Sequence, residues 1–282
     1  MTLKWHWLPT VVIGSWLSYR WVSRLAVAPQ PLTVRRSDVR YDRTPTLFIP
    51  GWGGHAWTYN RLLRWLAQQG YGHKVLTVRV DWRGNPHFVG HWDGLATNPL
   101  IQVLFDHSLT RDYQPQIGWI TQILRVLKQR YGVTAYNAVA HSWGGSAAIH
   151  SWLLHGQATD LPQLRRLLLL GAPVDESVTG GPADVAYQRL RAAGHHLRAN
   201  GRETVINVYG TLTGRQTDGS VPVQQVRALR PVLAASSVVY REIHVPRTSH
   251  GQLHASPRMW RFIGKTIWGD NQKAANPNSV NG

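Results

Sequence analysis

Short apolar runs alternate with amphipathic segments along most of the chain, from about residue 33 onward. Apolar runs of this length, bounded by glycine, proline and polar residues, are typical of buried β-strands. The strands predicted on this pattern are Thr46–Pro50, Val75–Val80, Leu100–Phe105, Tyr136–Ala140, Arg166–Pro173, Thr204–Gly210 and Val238–Val245. The alternation favours an α/β fold, with a mainly parallel central sheet and helices on both faces.

Amphipathic spacing predicts helices between these strands. Apolar side chains recur three and four residues apart in the segments Tyr59–Leu66, Ile117–Tyr131 and Met259–Ile267. A run of small residues after Ser142 predicts a further helix. Residues 174–201 are polar and only partly helical in pattern, and one interpretation of them is a lid or cap.

The two ends of the chain differ in composition from its middle. Residues 1–30 begin with basic residues, continue with an apolar stretch from Trp7 to Leu17 and reach a small-residue sequence at Ala26–Ala28. This order is typical of a signal peptide or a short membrane anchor. The alternative is a tryptophan-rich amphipathic segment that lies on a membrane or on the domain. We predict a single domain over residues 31–269 and a disordered polar tail over residues 270–282.

The chain is strongly basic for its length of 282 residues. Lysine and arginine total 31 against 14 acidic residues, which gives a formal net charge of +17. This balance predicts attraction to an anionic membrane or cell-wall surface, although a solvated basic surface without a dedicated partner is the simpler interpretation. The basic residues are scattered rather than clustered, and we expect no nucleic acid partner. Together with the N-terminus, the charge favours a membrane-associated or extracellular protein, with the cytoplasm as the alternative.

The absence of cysteine excludes several kinds of functional site. Without cysteine there are no disulfides, no thiolate nucleophile and no cysteine-ligated metal. The 14 histidines show no spacing typical of a metal site, such as His-Glu-x-x-His. We therefore expect no metal and no organic cofactor.

A candidate nucleophile lies in "NAVAHSWGGSAAIHSW", which runs from Asn137 to Trp152. A nucleophile elbow needs a strand, a tight turn that carries the serine, and a helix that follows, and this stretch predicts all three around Ser142. Ala140 replaces the first glycine of the Gly-x-Ser-x-Gly pattern, and its small side chain suits a crowded turn. The alternative interpretation is that Ser142 only caps the helix.

The predicted partners of this serine include two backbone amides that would form an oxyanion hole. One is the amide of Trp143, directly after the nucleophile. The other belongs to the glycine-rich segment Phe48–Gly54, which follows an early predicted strand. Trp52 is the preferred donor in that segment, and Gly53 is the alternative.

An acid and a base are expected after the last two strands. Asp218 follows the strand Thr204–Gly210 and would orient a histidine, while Asp175, after an earlier strand, is the competing candidate. His250 follows the last strand and is the preferred base, with His254 as the alternative. The simpler interpretation of Asp218 is an ordinary Asp-Gly turn.

On these residues the chain resembles the α/β-hydrolase superfamily. Within it, the chain is similar to a family of cell-surface hydrolases of Gram-positive bacteria whose function is unknown. The segments that carry the resemblance are "LFIPGWGG", "NPLIQVLFDHS", "IGWITQILRVLKQRYGVTAYNAVAHSWGG", "DGSVP" and "SHGQLHASP". The order of Ser142, Asp218 and His250 is that of the superfamily. The resemblance covers Thr46 to Trp268 and implies the α/β-hydrolase fold, a Ser-His-Asp triad and a serine esterase that acts on small acyl esters.

The chain departs from this family pattern at two places. Pro50 stands where relatives usually have histidine, and Trp143 stands where methionine is commoner. Neither change removes a catalytic side chain, and Trp52 and Trp143 would both narrow the pocket. Fold alone does not separate an esterase from a lipase, a thioesterase, a peptidase or a non-catalytic surface-binding module. The oligomeric state stays open.

Overall fold

The structure is a computed structural model that describes residues 25–180, 184–195, 197 and 203–269. Most of the expected N-terminal segment, up to residue 24, and all of the predicted polar tail lie outside the described residues. In the part of the chain that is described, no helix has both the length and the apolar character needed to cross a membrane.

The described residues form an eight-stranded sheet with the order β3-β2-β4-β1-β5-β6-β7-β8. Neighbouring strands are parallel throughout, except that β3 is antiparallel to β2. The strands are β1 (Thr46–Ile49), β2 (His73–Val80), β3 (Pro86–Gly90), β4 (Pro99–Phe105), β5 (Ala135–His141), β6 (Gln163–Leu170), β7 (Thr204–Thr211) and β8 (Val239–Pro246).

Helices connect the strands and cover the sheet. They are α1 (Ala56–Gln68), α2 (Gln114–Tyr131), α3 (Trp143–His155), α4 (Val185–His195), α5 (Val223–Arg227), α6 (Leu229–Leu233), α7 (Gln252–Ala255) and α8 (Pro257–Trp268). A short 3₁₀ helix spans Glu176–Thr179. This arrangement confirms the predicted α/β-hydrolase fold with a mainly parallel sheet.

The sheet separates two apolar cores because successive strand side chains point to opposite faces. Leu47 and Ile49 of β1 pack with residues of α2, α3 and α4 in one core. Phe48, between them, packs with residues of α1 and α8 in the other core. The buried positions of α2 and α8 include most of the apolar residues whose spacing predicted these helices, although Tyr131 and Trp260 are only half-buried.

Local sequence signals set the ends of these helices. Gly132 ends α2 with a left-handed backbone (φ 65°), which glycine adopts without steric cost. Ser256 precedes α8 and its side chain accepts a hydrogen bond from the Met259 amide, while Pro257 occupies the first turn.

Two segments differ from the simple expectation. The irregular section at residues 81–112 was expected to hold one strand, and it also holds β3, an exposed edge strand. Residues 174–201 include the 3₁₀ helix and α4, whose Leu190 is fully buried in the core that contains α3. The described part of that segment therefore packs on the domain.

Candidate active site

The turn between β5 and α3 carries Ser142 in a strained backbone conformation. Its φ is 55° and its ψ is −135°, a region that side chains other than glycine rarely adopt. Ser142 precedes α3, yet its side chain makes no capping hydrogen bond to that helix. Helix capping therefore does not account for the serine. Strain of this kind is typical of residues held in place for chemistry.

Two glycines allow the loop after β1 to press against this turn. A Cβ atom on Gly144 would lie 2.2 Å from the Pro50 carbonyl oxygen, and one on Gly51 would lie 2.6 Å from Ser142 Cβ. Neither position can accept a side chain without movement of the backbone. The glycine-rich loop thus runs directly beside Ser142.

The backbone amides of this loop are not equivalent. The Gly53 amide donates to the Ser108 carbonyl oxygen at 2.8 Å, which occupies it. The Trp52 amide has no hydrogen-bond partner among the described residues. Trp143 is the first residue of α3, where an amide has no acceptor one turn back. Of the predicted donors, the amides of Trp52 and Trp143 are therefore the ones left available.

His250 pairs with the buried Asp218 in the loops after β8 and β7. His250 Nδ1 lies 2.7 Å from Asp218 Oδ2, and the Asp218 side chain is only 2% exposed. Asp218 Oδ1 accepts from the amides of Ser220 and Val221, at 3.0 and 2.7 Å. These hydrogen bonds fix the carboxylate, and the carboxylate in turn fixes the orientation of the imidazole.

Contacts through His141 connect this pair to the strained turn. The His141 and His250 rings lie 4.3 Å apart, and His141 Nε2 donates to the His250 carbonyl oxygen at 3.1 Å. His141 directly precedes Ser142. Among the described residues, no hydrogen bond joins Ser142 Oγ to His250. Such bonds are often long in free hydrolases and shorten when a substrate binds.

The two competing candidates have other partners. Asp175 Oδ1 accepts from the amide and the hydroxyl of Ser177, so it caps the 3₁₀ helix rather than holding a histidine. His254 Nδ1 donates to the Thr58 carbonyl oxygen at 3.0 Å. Burial and, to a smaller extent, the neighbouring His250 together lower the pKa of His254 to about 4, against the opposing hydrogen bond to Thr58. His254 is therefore a neutral packing residue near neutral pH.

A family model described as an alpha/beta hydrolase of unknown function (DUF915) matches residues 34–270. The chain belongs to this family. No curated protein sequence matches it.

Solved structures with the same fold include two bacterial proteins. One is the product of the gene lin2722 of Listeria innocua, with 22% identity, a TM-score of 0.71, and coverage of 79% of this chain and 93% of that one. The other is described as a "putative cell surface hydrolase" of Lactobacillus plantarum WCFS1, with 20% identity, a TM-score of 0.66, and coverage of 79% and 89%. At these identities the likeness establishes the fold.

Two tryptophans stand at the site of this family member. Their rings meet edge to face, with centroids 6.4 Å apart. Trp52 Nε1 donates to the Thr110 carbonyl oxygen, and Trp143 Nε1 donates to Glu176 Oε1, each at 3.0 Å. Each indole is thus held by a hydrogen bond at its outer edge. The aromatic contacts of Trp143 and its bond to Glu176 were not predictable from local sequence.

Metal-binding geometry is not found among the described residues, because no three histidine or acidic side chains there are arranged to hold an ion. Sequence reasoning also missed the role of His141 as a contact of His250. The available signal was its position directly before Ser142, at the end of the predicted strand.

Proposed function

We propose that the protein is a serine hydrolase that cleaves carboxylic esters with small acyl groups. The observation that carries the proposal is the strained Ser142 turn, whose neighbour His141 contacts His250 of the Asp218–His250 pair. A hydrolase fold by itself would not single out this reaction.

The reaction begins with transfer of the Ser142 hydroxyl proton to His250 Nε2 as Oγ attacks the ester carbonyl carbon. Asp218 holds Nδ1 of the same ring and stabilises the positive charge that develops on it. The oxyanion accepts hydrogen bonds from the amides of Trp52 and Trp143.

Collapse of this intermediate completes the first half of the reaction. His250 passes its proton to the leaving alcohol oxygen, the ester C–O bond breaks, and the acyl group remains on Ser142. A water molecule then attacks the acyl carbon while His250 accepts its proton. The same proton returns to Ser142 Oγ as the carboxylic acid leaves.

Small acyl groups are favoured in this proposal because Trp143 directly follows Ser142 and its ring meets that of Trp52, so that the two indoles would narrow the pocket. Their outer edges are held by hydrogen bonds to Thr110 and Glu176, which supports fixed rather than yielding walls. A location at the cell surface, on an anionic membrane or wall polymer, is part of the proposal. Its supports are the net charge of +17 and the described cell-surface relative.

The test measures hydrolysis of 4-nitrophenyl acetate, butyrate and octanoate by the wild type and by Ser142→Ala. The wild type should cleave the acetate and butyrate faster than the octanoate, and Ser142→Ala should lose about a thousandfold or more of the rate. Ser151→Ala is the matched control, because Ser151 lies on the same helix but bonds only Thr121. Full activity in Ser142→Ala would refute the proposal, and salt-sensitive polymer binding without turnover would favour a binding module.

A further inference from the structure

The acidic residues of this basic chain differ in whether they form ion pairs. Most described carboxylates form ion pairs with arginine or histidine, namely Asp38, Asp42, Asp81, Asp106, Asp160, Asp218 and Glu242. Asp112, Asp175, Glu176 and Asp184 form no ion pair within the described residues. We call these four residues the acidic group.

The acidic group gathers around the side chain of Tyr113, beside the proposed active site. Burial raises the pKa of the Tyr113 hydroxyl, and the four carboxylates of the acidic group raise it further. The Tyr113 ring also meets the Trp143 ring edge to face, with centroids 6.3 Å apart. Glu176 bonds directly to Trp143, the residue after the proposed nucleophile. The other three carboxylates act electrostatically on Tyr113, whose ring contacts that of Trp143.

Capping explains only part of this arrangement. Asp112, Asp175 and Asp184 accept hydrogen bonds from amides at the starts of α2, the 3₁₀ helix and α4. Asparagine or serine would cap as well, without adding charge. Glu176 caps nothing, and its carboxylate is bonded instead to the indole of Trp143. The concentration of charge is thus more than local helix geometry requires.

Buried polar atoms at the same place lack partners. The Tyr113 hydroxyl belongs to a residue that is 3% exposed, and no group in the described structure bonds to it. Neither the oxygen nor the nitrogen of the Gln116 side-chain amide is bonded, although Gln116 is fully buried. Buried polar atoms normally find a partner. Hydrogen-bonding capacity is therefore left unused beside carboxylates that form no ion pair within the described residues.

We propose that the acidic group, with Tyr113 and the two indoles, binds a positively charged ammonium group of the ester substrate. The inference rests on the proposed esterase function and names its substrate class. Carboxylates attract the cation, and the faces of Trp52 and Trp143 add cation–π attraction. The chain as a whole has a net charge of +17 and repels cations. A local concentration of negative charge would therefore direct a cationic ester to this one place.

Charge-matched ester pairs test the proposal and separate the two places where the ammonium group can reside. On the acyl side, 4-nitrophenyl 6-aminohexanoate is compared with the uncharged heptanoate. On the alcohol side, butyrylcholine is compared with 3,3-dimethylbutyl butyrate. In at least one pair the charged ester should have a kcat/KM about tenfold above its neutral counterpart. Equal or lower values for the charged ester in both pairs would overturn the proposal.

Charge-removing variants assign the effect to the acidic group. Glu176→Gln keeps an acceptor for Trp143, and Asp184→Asn keeps the cap of α4, so both remove charge with little change of shape. In the double variant the charged-to-neutral ratio of kcat/KM should fall about three- to tenfold. Asp93→Asn is the control, since Asp93 is also exposed and bonded only to the Leu95 amide. A ratio unchanged in the double variant would contradict the assignment.

A binding measurement separates this proposal from the esterase function itself. Calorimetry with Ser142→Ala follows butyrylcholine and its uncharged isostere without turnover. Tighter binding of butyrylcholine, weakened in Glu176→Gln, would support the ammonium site even if no ester were cleaved. Equal binding of the two ligands would overturn the site, whatever the result of the hydrolysis assays.

Discussion

Ionisable side chains lie inside the fold at two opposite ends of the strands, and they differ in whether they have a charged partner. At the carboxyl ends of β7 and β8, Asp218 and His250 pair with each other at 2.7 Å. Near the amino end of β2, Lys74 is fully buried, and among the described residues no carboxylate pairs with it. Its Nζ donates instead to the Leu76 carbonyl oxygen and to Thr77 Oγ1.

The two arrangements have different explanations. The proposed role of the Asp218–His250 pair is chemical, whereas the role of Lys74 is structural. The pairing of β2 with β4 shifts register between Lys74 and Leu76, and Lys74 supplies a donor to a carbonyl at that irregularity. A neutral amine does this as well as a charged one, and burial lowers the pKa of Lys74 to about 7. At the other end, a fixed carboxylate beside an imidazole and a strained serine has no such structural explanation.

Removal of the Asp218 carboxylate should have the largest effect on turnover. Asp218→Asn keeps the shape of the side chain but no longer holds His250 in the orientation that leaves Nε2 free to accept a proton. We expect kcat for 4-nitrophenyl butyrate to fall by about 10³- to 10⁴-fold. Asp160→Asn, which breaks only the partly exposed pair with Arg125, should change kcat less than about twofold. A comparable loss in both variants would show that the effect is not specific to the Asp218–His250 pair.

Lys74 should affect stability rather than turnover, through a pH dependence of defined sign. Its pKa is about 7 when folded and near 10.4 when unfolded, so the unfolded chain binds more protons between these values. Stability contributed by this site should rise with pH across that window, by at most about 1.4 kcal/mol per pH unit.

Urea unfolding of the wild type and Lys74→Met at several pH values from 6 to 10 checks this expectation. The wild type should gain stability relative to the variant as the pH rises. Lys74→Met also removes the donor to Leu76, which shifts the difference by a constant and leaves its slope intact. A difference independent of pH would show that Lys74 stays charged in the fold.

We propose that His141 positions His250, and its removal should have a moderate effect on turnover. His141→Phe removes the donor to the His250 carbonyl oxygen, and we expect about a tenfold loss of kcat with little change of KM. His141→Gln retains a donor and should recover part of that loss. Burial keeps the pKa of His141 well below its usual range, so this group is neutral and adds no step to the pH profile. Equal kcat in the wild type and both variants would exclude the positioning role.

Release of the strain at Ser142 should change stability only slightly. The change should be a gain in stability, although the same substitution abolishes activity. Glycine adopts the positive φ of this turn freely, so Ser142→Gly should raise the free energy of unfolding by about 1 kcal/mol while abolishing turnover. Ser142→Ala keeps the strain and serves as the reference. If Ser142→Gly unfolds at lower urea concentration than Ser142→Ala, the turn is not strained.

Much of the fold was predictable because its strands are apolar on both faces and its helices are strongly amphipathic. Pro86–Gly90 was missed as a strand because it lies at the sheet edge, is largely exposed and begins with proline. Its pairing with β2 depends on a neighbour rather than on its own pattern.

The site was predictable as a set of candidates, and its ambiguities could be settled only by contacts distant in sequence. Ser108, which occupies the Gly53 amide, lies far along the chain from it. Thr58, the partner of His254, is more remote still, 196 residues away. The acidic group left no signal of its own, because Asp112, the Asp175–Glu176 pair and Asp184 lie in three separate segments of the chain.

The central claim is that Ser142 is the nucleophile, and covalent labelling tests it most directly. A fluorophosphonate reacts with an activated serine hydroxyl, and mass spectrometry of the digested protein then locates the modified residue. We predict a single phosphonylated residue, Ser142, with labelling abolished in Ser142→Ala and slowed in Asp218→Asn. Labelling at another serine, or no labelling of the folded wild type, would contradict the account.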